Sequence, residues 1–191
     1  MAARKQLVFV TGNANKLREV QQILQKTPDF PFTLTNKALD VPEVQGTTID
    51  VAKAKCRSAA RQLNGPVITE DTALCFSALG GLPGPYIKDF LGQLGVDRLH
   101  LLLAGFEDKK ATAVCTFAYC ESAEAEPIVF EGKTEGRLVE PRGQNRFGWD
   151  PCMEVEGTGK TYAEMDSDEK NKLSHRYKAL DQLRDYLTKQ A

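Results

Sequence analysis

The sequence has little of what marks a zinc protein or a disulfide-rich one. It contains one tryptophan and two histidines, and its five cysteines form no Cys-x-x-Cys pair and have no histidine cluster beside them. An odd number of cysteines scattered through apolar segments indicates neither a disulfide framework nor a zinc site. We therefore expect reduced thiols that are mostly buried.

An excess of charge of one sign is also missing. The chain has 25 Lys and Arg against 26 Asp and Glu, a formal net charge of −1, so a nucleic-acid-binding surface is not expected. Its 41% hydrophobic and 27% charged residues are typical of a globular chain, not of a disordered, collagen-like or coiled-coil one. The first apolar run, residues 7–10, is far shorter than a signal-peptide core or a membrane span. We expect no membrane partner and a cytoplasmic location, with the nucleus as a second compartment.

The length predicts one domain over residues 1–191, since domains run to roughly 150 residues. Residues 7–10 and 67–69 are short apolar runs typical of strands buried on both faces, and each is followed by polar residues. Residues 111–139 are rich in strand-forming residues, and 128–139 favours a hairpin or meander. Because helices alternate with strands early in the chain, we predict a mixed α/β or α+β sheet, in one lobe or in two.

Two helices can be placed from their end signals. Thr47 and Asp50 form a capping box before an apolar helical pattern that reaches Leu63. The last helix carries an apolar stripe from Leu173 to Leu187, and Ser174 is a candidate for its N-cap.

Two segments resemble the end of a nucleotide-binding Walker A loop, but both lack the first glycine of that motif. Gly159-Lys160-Thr161 has Glu154 where the motif requires an earlier glycine, and Gly132-Lys133-Thr134 has Pro127 there. We interpret both as turns that connect strands.

The junction at residues 11–16, Thr-Gly-Asn-Ala-Asn-Lys, lies between a predicted strand and a predicted helix. Backbone N–H groups at a helix N-terminus, together with a hydroxyl, amides and a lysine, can surround a phosphate. A purely structural turn explains this segment equally well.

Glu70 and Asp71 are adjacent carboxylates at the predicted end of a strand, where α/β sheets place their ligands. With Glu43 they offer oxygen ligands for Mg²⁺, which keeps several waters and bridges substrate phosphates. The alternative is a solvated acidic turn.

The single tryptophan lies in Phe147-Gly148-Trp149-Asp150-Pro151. Aromatic faces beside a hydrogen-bonding group suit a flat ligand such as a purine base. The alternative is a pair of aromatic side chains that cover the core beneath a loop.

Lys170, Ser174, His175 and Arg176 lie at the start of the last helix, and the two cations flank its apolar stripe. Such cations face a cleft more readily than bulk water. A charged, solvated helix start is the alternative.

Taken in order, these segments resemble one family, the Ham1-type inosine triphosphate pyrophosphatases, in its eukaryotic form. The motifs run from residue 11 to residue 176, so the resemblance covers most of the chain. They are Thr11-Gly12-Asn13 with Lys16, Glu70-Asp71-Thr72, Gly80-Gly81-Leu82-Pro83-Gly84-Pro85-Tyr86, Phe147-Gly148-Trp149-Asp150-Pro151 and Ser174-His175-Arg176.

The resemblance implies hydrolysis of non-canonical purine nucleoside triphosphates (ITP, dITP and XTP) to the monophosphate and pyrophosphate. It also implies a homodimer that depends on Mg²⁺, with Mn²⁺ as a substitute. The implied fold is a two-lobed α/β domain with a long central mixed sheet flanked by helices and an active-site cleft between the lobes.

The resemblance also assigns roles to residues. Asp71 is implied as the catalytic base, with Glu70 as a weaker candidate, and Glu43 and Asp71 as metal ligands, with Thr72 beside the metal. The implied phosphate and sugar contacts are Thr11, Gly12, Asn13, Ala14, Asn15, Lys16, Lys55, Lys88, Lys170 and Arg176. The implied base pocket is Phe147, Gly148, Trp149, Asp150 and His175. Asn15 departs from the lysine expected there, which leaves Lys16 as the surer phosphate contact.

Selectivity among purine nucleotides would depend on the hydrogen-bonding group at position 6 of the base. Hypoxanthine and xanthine carry a 6-oxo acceptor where adenine carries a donor, so hydrogen-bond donors from His175, Arg176 or the backbone would disfavour adenine. Two other functions stay open: a Maf-type pyrophosphatase for modified or pyrimidine triphosphates, and a nucleotide sensor without catalysis. The three acidic residues, Glu43, Glu70 and Asp71, argue against the sensor.

Overall fold

The computed structural model describes residues 5–25, 30–144 and 147–190. Seven strands of the described chain form one mixed sheet in the order β2-β1-β3-β5-β6-β7, with β4 paired to β3. The strands are β1 (Lys5–Val10), β2 (Phe32–Lys37), β3 (Val67–Phe76), β4 (Pro83–Gly84), β5 (Lys110–Cys120), β6 (Ile128–Leu138) and β7 (Met153–Val155). β1 is parallel to β2 and β3, whereas β3–β4 and β6–β7 are antiparallel. The predicted mixed central sheet is confirmed.

Six α-helices accompany the sheet in the described residues. They are α1 (Ala14–Gln25), α2 (Thr48–Leu63), α3 (Ile87–Leu94), α4 (Val96–Leu99), α5 (Ser167–Leu173) and α6 (His175–Lys189). Short 3-10 turns lie at Ser77–Leu79, His100–Leu103, Asp150–Cys152 and Tyr162–Glu164. No described helix is both long enough and apolar enough to cross a membrane.

The predicted start of α2 is confirmed in atomic detail. The Thr47 hydroxyl oxygen accepts from the Asp50 backbone N–H at 3.2 Å, and Asp50 Oδ2 accepts from the Thr47 N–H at 3.1 Å. This reciprocal pair satisfies amides that the helix itself cannot. The helix ends at Asn64, whose left-handed backbone (φ 50°) closes the last turn.

The chain divides into two compact units. The first comprises the described parts of 1–71, 115–132 and 176–191, and the second comprises 72–114 and 133–175. Strands β3, β5 and β6 each contribute residues to both units.

In the first unit the sheet is buried on both faces. Leu7 and Phe9 of β1 pack with Val20 of α1 and Leu183 of α6, in one apolar cluster. Val10, the next residue along β1, packs on the other side with α2. Alternate side chains of a strand point to opposite faces, which explains why the strand sequences are continuously apolar.

The second unit has its own core, built on the far ends of β3, β5 and β6. Leu74 and Phe76 of β3 pack there with Leu138, Met153 and Tyr162. All of these side chains are nearly or fully buried.

Two sequence interpretations of the strand region are wrong. Residues 128–138 form one long strand, not a hairpin or meander, so Gly132-Lys133-Thr134 is not a turn. Gly136 marks a close approach instead, since a Cβ there would lie 2.1 Å from the Glu154 carbonyl oxygen on the paired strand β7. The turn interpretation of Gly159-Lys160-Thr161 is confirmed, because this segment follows β7 and Thr161 bridges back to Glu154.

Candidate active site

The segment between β1 and α1 is organised by the Asn13 side chain. Its Oδ1 accepts hydrogen bonds from the backbone N–H groups of Asn15 (3.0 Å) and Lys16 (3.1 Å), and the Thr11 hydroxyl oxygen accepts from the Asn13 N–H (3.1 Å). Asn13 is therefore the N-cap of α1. An anion bound at this helix start competes with Asn13 for the first-turn amides. Gly12 and Ala14 lie exposed in the same turn.

A buried carboxylate in the first unit contacts two cations. Glu70, whose side chain is 0% exposed, lies 2.7 Å from Lys16 Nζ through Oε2 and 3.2 Å from Arg176 Nη2 through Oε1. Arg176 is also paired with Glu19 of α1. The Cys115 thiol donates to Glu70 Oε1 at 3.2 Å. We refer to Lys16, Glu19, Glu70, Cys115 and Arg176 as the Glu70 cluster.

The electrostatics of the Glu70 cluster follow from its burial. Burial disfavours the charged form of Arg176, yet the carboxylates of Glu70 and Glu19 outweigh that effect and raise the pKa of Arg176 above its usual range. Burial, and then the Glu70 charge, raise the pKa of the Cys115 thiol well above its ordinary value. The arginine is thus a permanent cation, and the thiol is protonated and inert.

Asp71 faces the other way. Adjacent strand residues point to opposite faces of the sheet, so Glu70 meets α1 and α6 while Asp71 meets Lys55 of α2. Lys55 Nζ lies 2.8 Å from Asp71 Oδ1. Oδ2 of Asp71 is buried and has no hydrogen-bond partner in the described structure. Asp71 therefore has one oxygen held by a cation and one left for a ligand.

The strand does not end at these carboxylates, contrary to the sequence interpretation. β3 continues to Phe76, but its pairing with β1 stops at Val10 opposite Thr69. Glu70 and Asp71 therefore lie just beyond the last residue of β1. The two carboxylates diverge and do not form a joint site for one ion.

The other residues predicted at the metal, Glu43 and Thr72, and the predicted phosphate contact Lys88 lie on three different parts of the chain. Glu43 is exposed in the segment between β2 and α2. Thr72 follows Asp71 in β3, and Lys88 is exposed in the first turn of α3. Among the residues that the structure describes, no group of three or more His, Cys, Asp and Glu side chains is assembled for a metal. The buried, unpartnered Oδ2 of Asp71 nevertheless suits Mg²⁺, which needs one or two protein carboxylates when phosphates and water complete its shell.

In the second unit, two aromatic rings pack against His175. The ring centroids of His175 and Trp149 are 5.3 Å apart, and those of His175 and Tyr162 are 5.6 Å apart. The Tyr162 hydroxyl lies 3.3 Å from His175 Nδ1. Trp149 is only 7% exposed and belongs to the core of this unit. Trp149 therefore packs against His175 and has little exposed ring surface on which a base could stack.

Beside these rings lies a buried ion pair. Lys170 Nζ is 2.6 Å from Asp150 Oδ2, and both side chains are about 95% buried (6% and 5% exposed). The same ammonium lies 5.0 Å from the Phe147 ring centroid and 5.5 Å from that of Tyr162. Phe147 and Gly148 are half-buried, so they present more open surface than Trp149.

The structure thus sorts the predicted residues into two sets. Lys16, Lys55, Asp71 and Arg176 lie in the first unit, around β3, and the aromatic segment, Lys170 and His175 lie together in the second. Ser174 separates α5 from α6, as the N-cap prediction required. Lys170 is therefore not on the last helix but on the short helix before it.

Sequence reasoning missed Glu19 and Tyr162. Glu19 lies three residues after Lys16 on α1, and charged residues at this spacing share a helix face, so that signal was available. Tyr162 is linked to His175 only by the tertiary fold, and no local pattern indicates it.

Comparison with known proteins identifies the family. Residues 7–186 match the model of the Ham1 family. The chain is 65% identical to an inosine triphosphate pyrophosphatase of Mycosarcoma maydis over 95% of this chain and 94% of the relative, and 60% identical to one of Puccinia graminis f. sp. tritici over 96% and 97%. The solved structure of a HAM1 protein from Coxiella burnetii superposes with a TM-score of 0.85 at 30% identity, and it covers 97% of this chain and 99% of its own. The chain belongs to the Ham1 family.

Proposed function

We propose that the protein is a nucleoside triphosphate pyrophosphatase that hydrolyses non-canonical purine nucleoside triphosphates, ITP, dITP and XTP, to the monophosphate and pyrophosphate. The mechanism rests on the two carboxylate oxygens of Asp71. Oδ1 accepts a hydrogen bond from Lys55, and the buried Oδ2 has no hydrogen-bond donor among the described residues. The relatives named above support the substrate class.

The reaction transfers the α-phosphorus from the pyrophosphate oxygen to water. One P–O bond forms to the water oxygen, the bond to the bridging oxygen breaks, and the water loses a proton. Asp71 Oδ2 is the proposed acceptor of that proton. Lys55 fixes the carboxylate through Oδ1, so that Oδ2 keeps a defined direction.

A triphosphate carries about four negative charges, which repel an approaching oxygen nucleophile. In the first unit, Lys16, Lys55 and Arg176 are the proposed counter-charges, with the amides at the start of α1. In the second unit, Lys88 and Lys170 are proposed to contact phosphate or sugar. Positive groups that are already in place lower the energy of the departing pyrophosphate.

The proposed cofactor is Mg²⁺, with Mn²⁺ as a substitute and with Asp71 and Glu43 as its protein ligands. When bound, it neutralises phosphate charge and lowers the pKa of water. Asp71 is preferred over Glu70 as ligand and base because both Glu70 oxygens already contact cations inside the protein.

The base is proposed to contact the segment that includes Phe147, Gly148, Trp149 and Asp150, with His175 at its edge. Phe147 is the proposed stacking surface, because it is more exposed than Trp149. Donors at the 6-position would leave adenine with an unmatched amino group.

The experiment is pyrophosphate release by the purified protein from ATP, GTP, ITP, XTP and dTTP, with Mg²⁺ and with a chelator. We expect metal-dependent release from ITP and XTP. Asp185→Asn is the control variant, because Asp185 is an exposed acid on α6 that pairs with its neighbour Arg184 and takes no part in the proposed mechanism.

Other outcomes identify other functions. Release from dTTP would favour a Maf-type pyrophosphatase. Orthophosphate as the first product would move the attack to another phosphorus atom. Binding of ITP without release of either product would indicate a sensor.

The protein is also proposed to form a homodimer and to act in the cytoplasm, with a nuclear pool. Light scattering after size-exclusion chromatography measures the first, and fractionation of cells measures the second.

A further inference from the structure

Tyr162 is fully buried, and its hydroxyl contacts the His175 ring. Its side chain is 0% exposed, and its hydroxyl oxygen lies 3.3 Å from His175 Nδ1. The mechanism proposed above does not use this residue. Leaving a buried phenol hydroxyl without a hydrogen bond costs free energy. Its hydrogen bond with His175 therefore bears on which imidazole nitrogen carries the proton.

Tyr162 is held rigidly by its backbone. It begins a 3-10 turn that is fixed by a capping box, in which the Glu164 carboxylate accepts from the Thr161 N–H at 2.8 Å. The Thr161 hydroxyl, itself buried, donates to the Arg142 carbonyl oxygen at 3.1 Å. The hydroxyl of Tyr162 is therefore presented to His175 from a fixed position.

The imidazole is equally restrained. Trp149 and Tyr162 both lie against it, with interplanar angles of 33° and 38°. His175 is the first residue of α6 and is 2% exposed. The buried ring is therefore held between two side chains and has little room to reorient.

A neutral imidazole has one N–H and one bare nitrogen, and a hydrogen bond at one nitrogen decides the role of the other. A phenol O–H is the stronger donor and an imidazole nitrogen the stronger acceptor, so the hydroxyl donates to Nδ1. The proton of His175 then resides on Nε2.

We propose that Tyr162 is a positioning residue that fixes His175 as an Nε2–H donor, and that this donor favours purines with an oxygen at carbon 6 over purines with an amino group there. The inference rests on the proposed function, in which His175 lies at the edge of the base. Hypoxanthine, xanthine and guanine present an acceptor at carbon 6, whereas adenine presents a donor. A donor that cannot change its role discriminates between them.

The first experiment determines the tautomer of His175 directly and needs no substrate. The chain has two histidines, His100 and His175, so the full-length His100→Gln protein, labelled with ¹⁵N, has one imidazole to assign by NMR. We expect Nδ1 to resonate as an unprotonated nitrogen and Nε2 as a protonated one. A protonated Nδ1 in this folded protein would overturn the proposal.

The second experiment measures the selectivity for ITP over ATP. Tyr162→Phe keeps the ring but removes the hydroxyl, so His175 Nδ1 loses the donor that we propose holds its tautomer. We expect the ratio of kcat/KM for ITP over ATP to fall by about tenfold, the effect of losing one defined hydrogen bond. The ratio for ITP over GTP stays constant, because both bases carry the 6-oxo group.

Tyr119→Phe is the matched control, since it removes a phenol hydroxyl from the core of the first unit. It leaves both ratios unchanged. An unchanged ITP over ATP ratio in a folded Tyr162→Phe protein would overturn the selectivity role. If Tyr162→Phe does not fold, the tautomer in the His100→Gln protein still decides the proposal. A protein that releases no pyrophosphate from any nucleotide but shows the expected tautomer would refute the proposed function alone.

Discussion

Lys16 Nζ lies 2.7 Å from Glu70 Oε2, and the side chain of Glu70 is 0% exposed while that of Lys16 is 19% exposed. The carboxylate is thus buried beneath a cation that still reaches solvent. The second oxygen of Glu70 contacts Arg176, which is 2% exposed. Glu70 therefore anchors a reachable cation and a buried one with a single charge, and its role is to position them.

Replacing Glu70 tests that role. Glu70→Gln keeps the shape but leaves Lys16 and Arg176 without their shared counter-charge. Breaking a buried ion pair from one side costs about 3–5 kcal/mol, so we expect a large loss of free energy of unfolding, measured by urea titration. We also expect KM for ITP to rise, because Lys16 loses its fixed position.

The control is Glu126→Gln, which breaks the exposed pair between Glu126 and Arg57, whose side chains are 80% and 34% exposed. An exposed pair contributes about 0–1 kcal/mol. Equal destabilisation by the two variants would contradict the anchoring role of Glu70.

Asp71→Asn removes the proposed proton acceptor while keeping the size of the side chain. We expect pyrophosphate release from ITP to fall by at least about 10²–10⁴-fold, the usual contribution of a general base, and further if metal binding is lost as well. The circular dichroism spectrum should stay that of the folded protein. Near-normal activity in the folded variant would refute the role of Asp71.

The fold was largely readable from the sequence because its signals are local. The apolar runs around Phe9 and Ile68 predict strands buried on both faces, and the Thr47–Asp50 capping box marks the start of α2. Each of these patterns lies within a few residues. The error at residues 128–138 arose because glycines 132 and 136 were interpreted as turns, whereas at least Gly136 is required by a strand partner far along the chain.

The candidate site was harder to predict because strand alternation and tertiary contacts decide it. Glu70 and Asp71 are adjacent in sequence, yet the pleat sends them to opposite faces, one to Arg176 and the other to Lys55. The extent of β3 beyond Asp71 could not be inferred from the short apolar run before it. Trp149 was visible as the single tryptophan, but its burial depends on Tyr162 and the core of the second unit.

Phe147 and Trp149 are expected to respond differently to truncation. Phe147→Ala should raise KM for ITP with little change in the melting temperature, because this ring is half-buried. Trp149→Ala opens a cavity in a core, which costs about 3–5 kcal/mol, so its main effect is a lower melting temperature. Trp149→Phe, which keeps an aromatic ring, should recover part of that stability.

Steady-state kinetics and thermal melts on these variants separate stacking from packing. A rise in KM for Trp149→Ala without any loss of melting temperature would contradict the packing role and would place the stacking surface at the tryptophan.

Alkaline pH should lower the free energy of unfolding because the buried Tyr119 keeps its proton in the folded state. Burial, and then the nearby charge of Glu121, raise the pKa of Tyr119 to about 12 from its ordinary value of 10.0. Between these two values the unfolded chain loses the phenolic proton while the folded chain keeps it. The folded state then binds more protons, so the free energy of unfolding falls as pH rises through this interval.

The measurement is urea unfolding of the wild-type protein and of Tyr119→Phe at about pH 9 and about pH 11, on either side of the ordinary pKa. The wild-type protein should lose more stability between the two conditions than the variant, because the variant has no proton to release at this position. The buried thiols of Cys56 and Cys115, whose pKa values are also raised, contribute equally to both proteins and cancel in the difference. Identical losses in the two proteins would mean that Tyr119 ionises as readily in the fold as it does in the unfolded chain, so that its burial beside Tyr186 would not hold its proton.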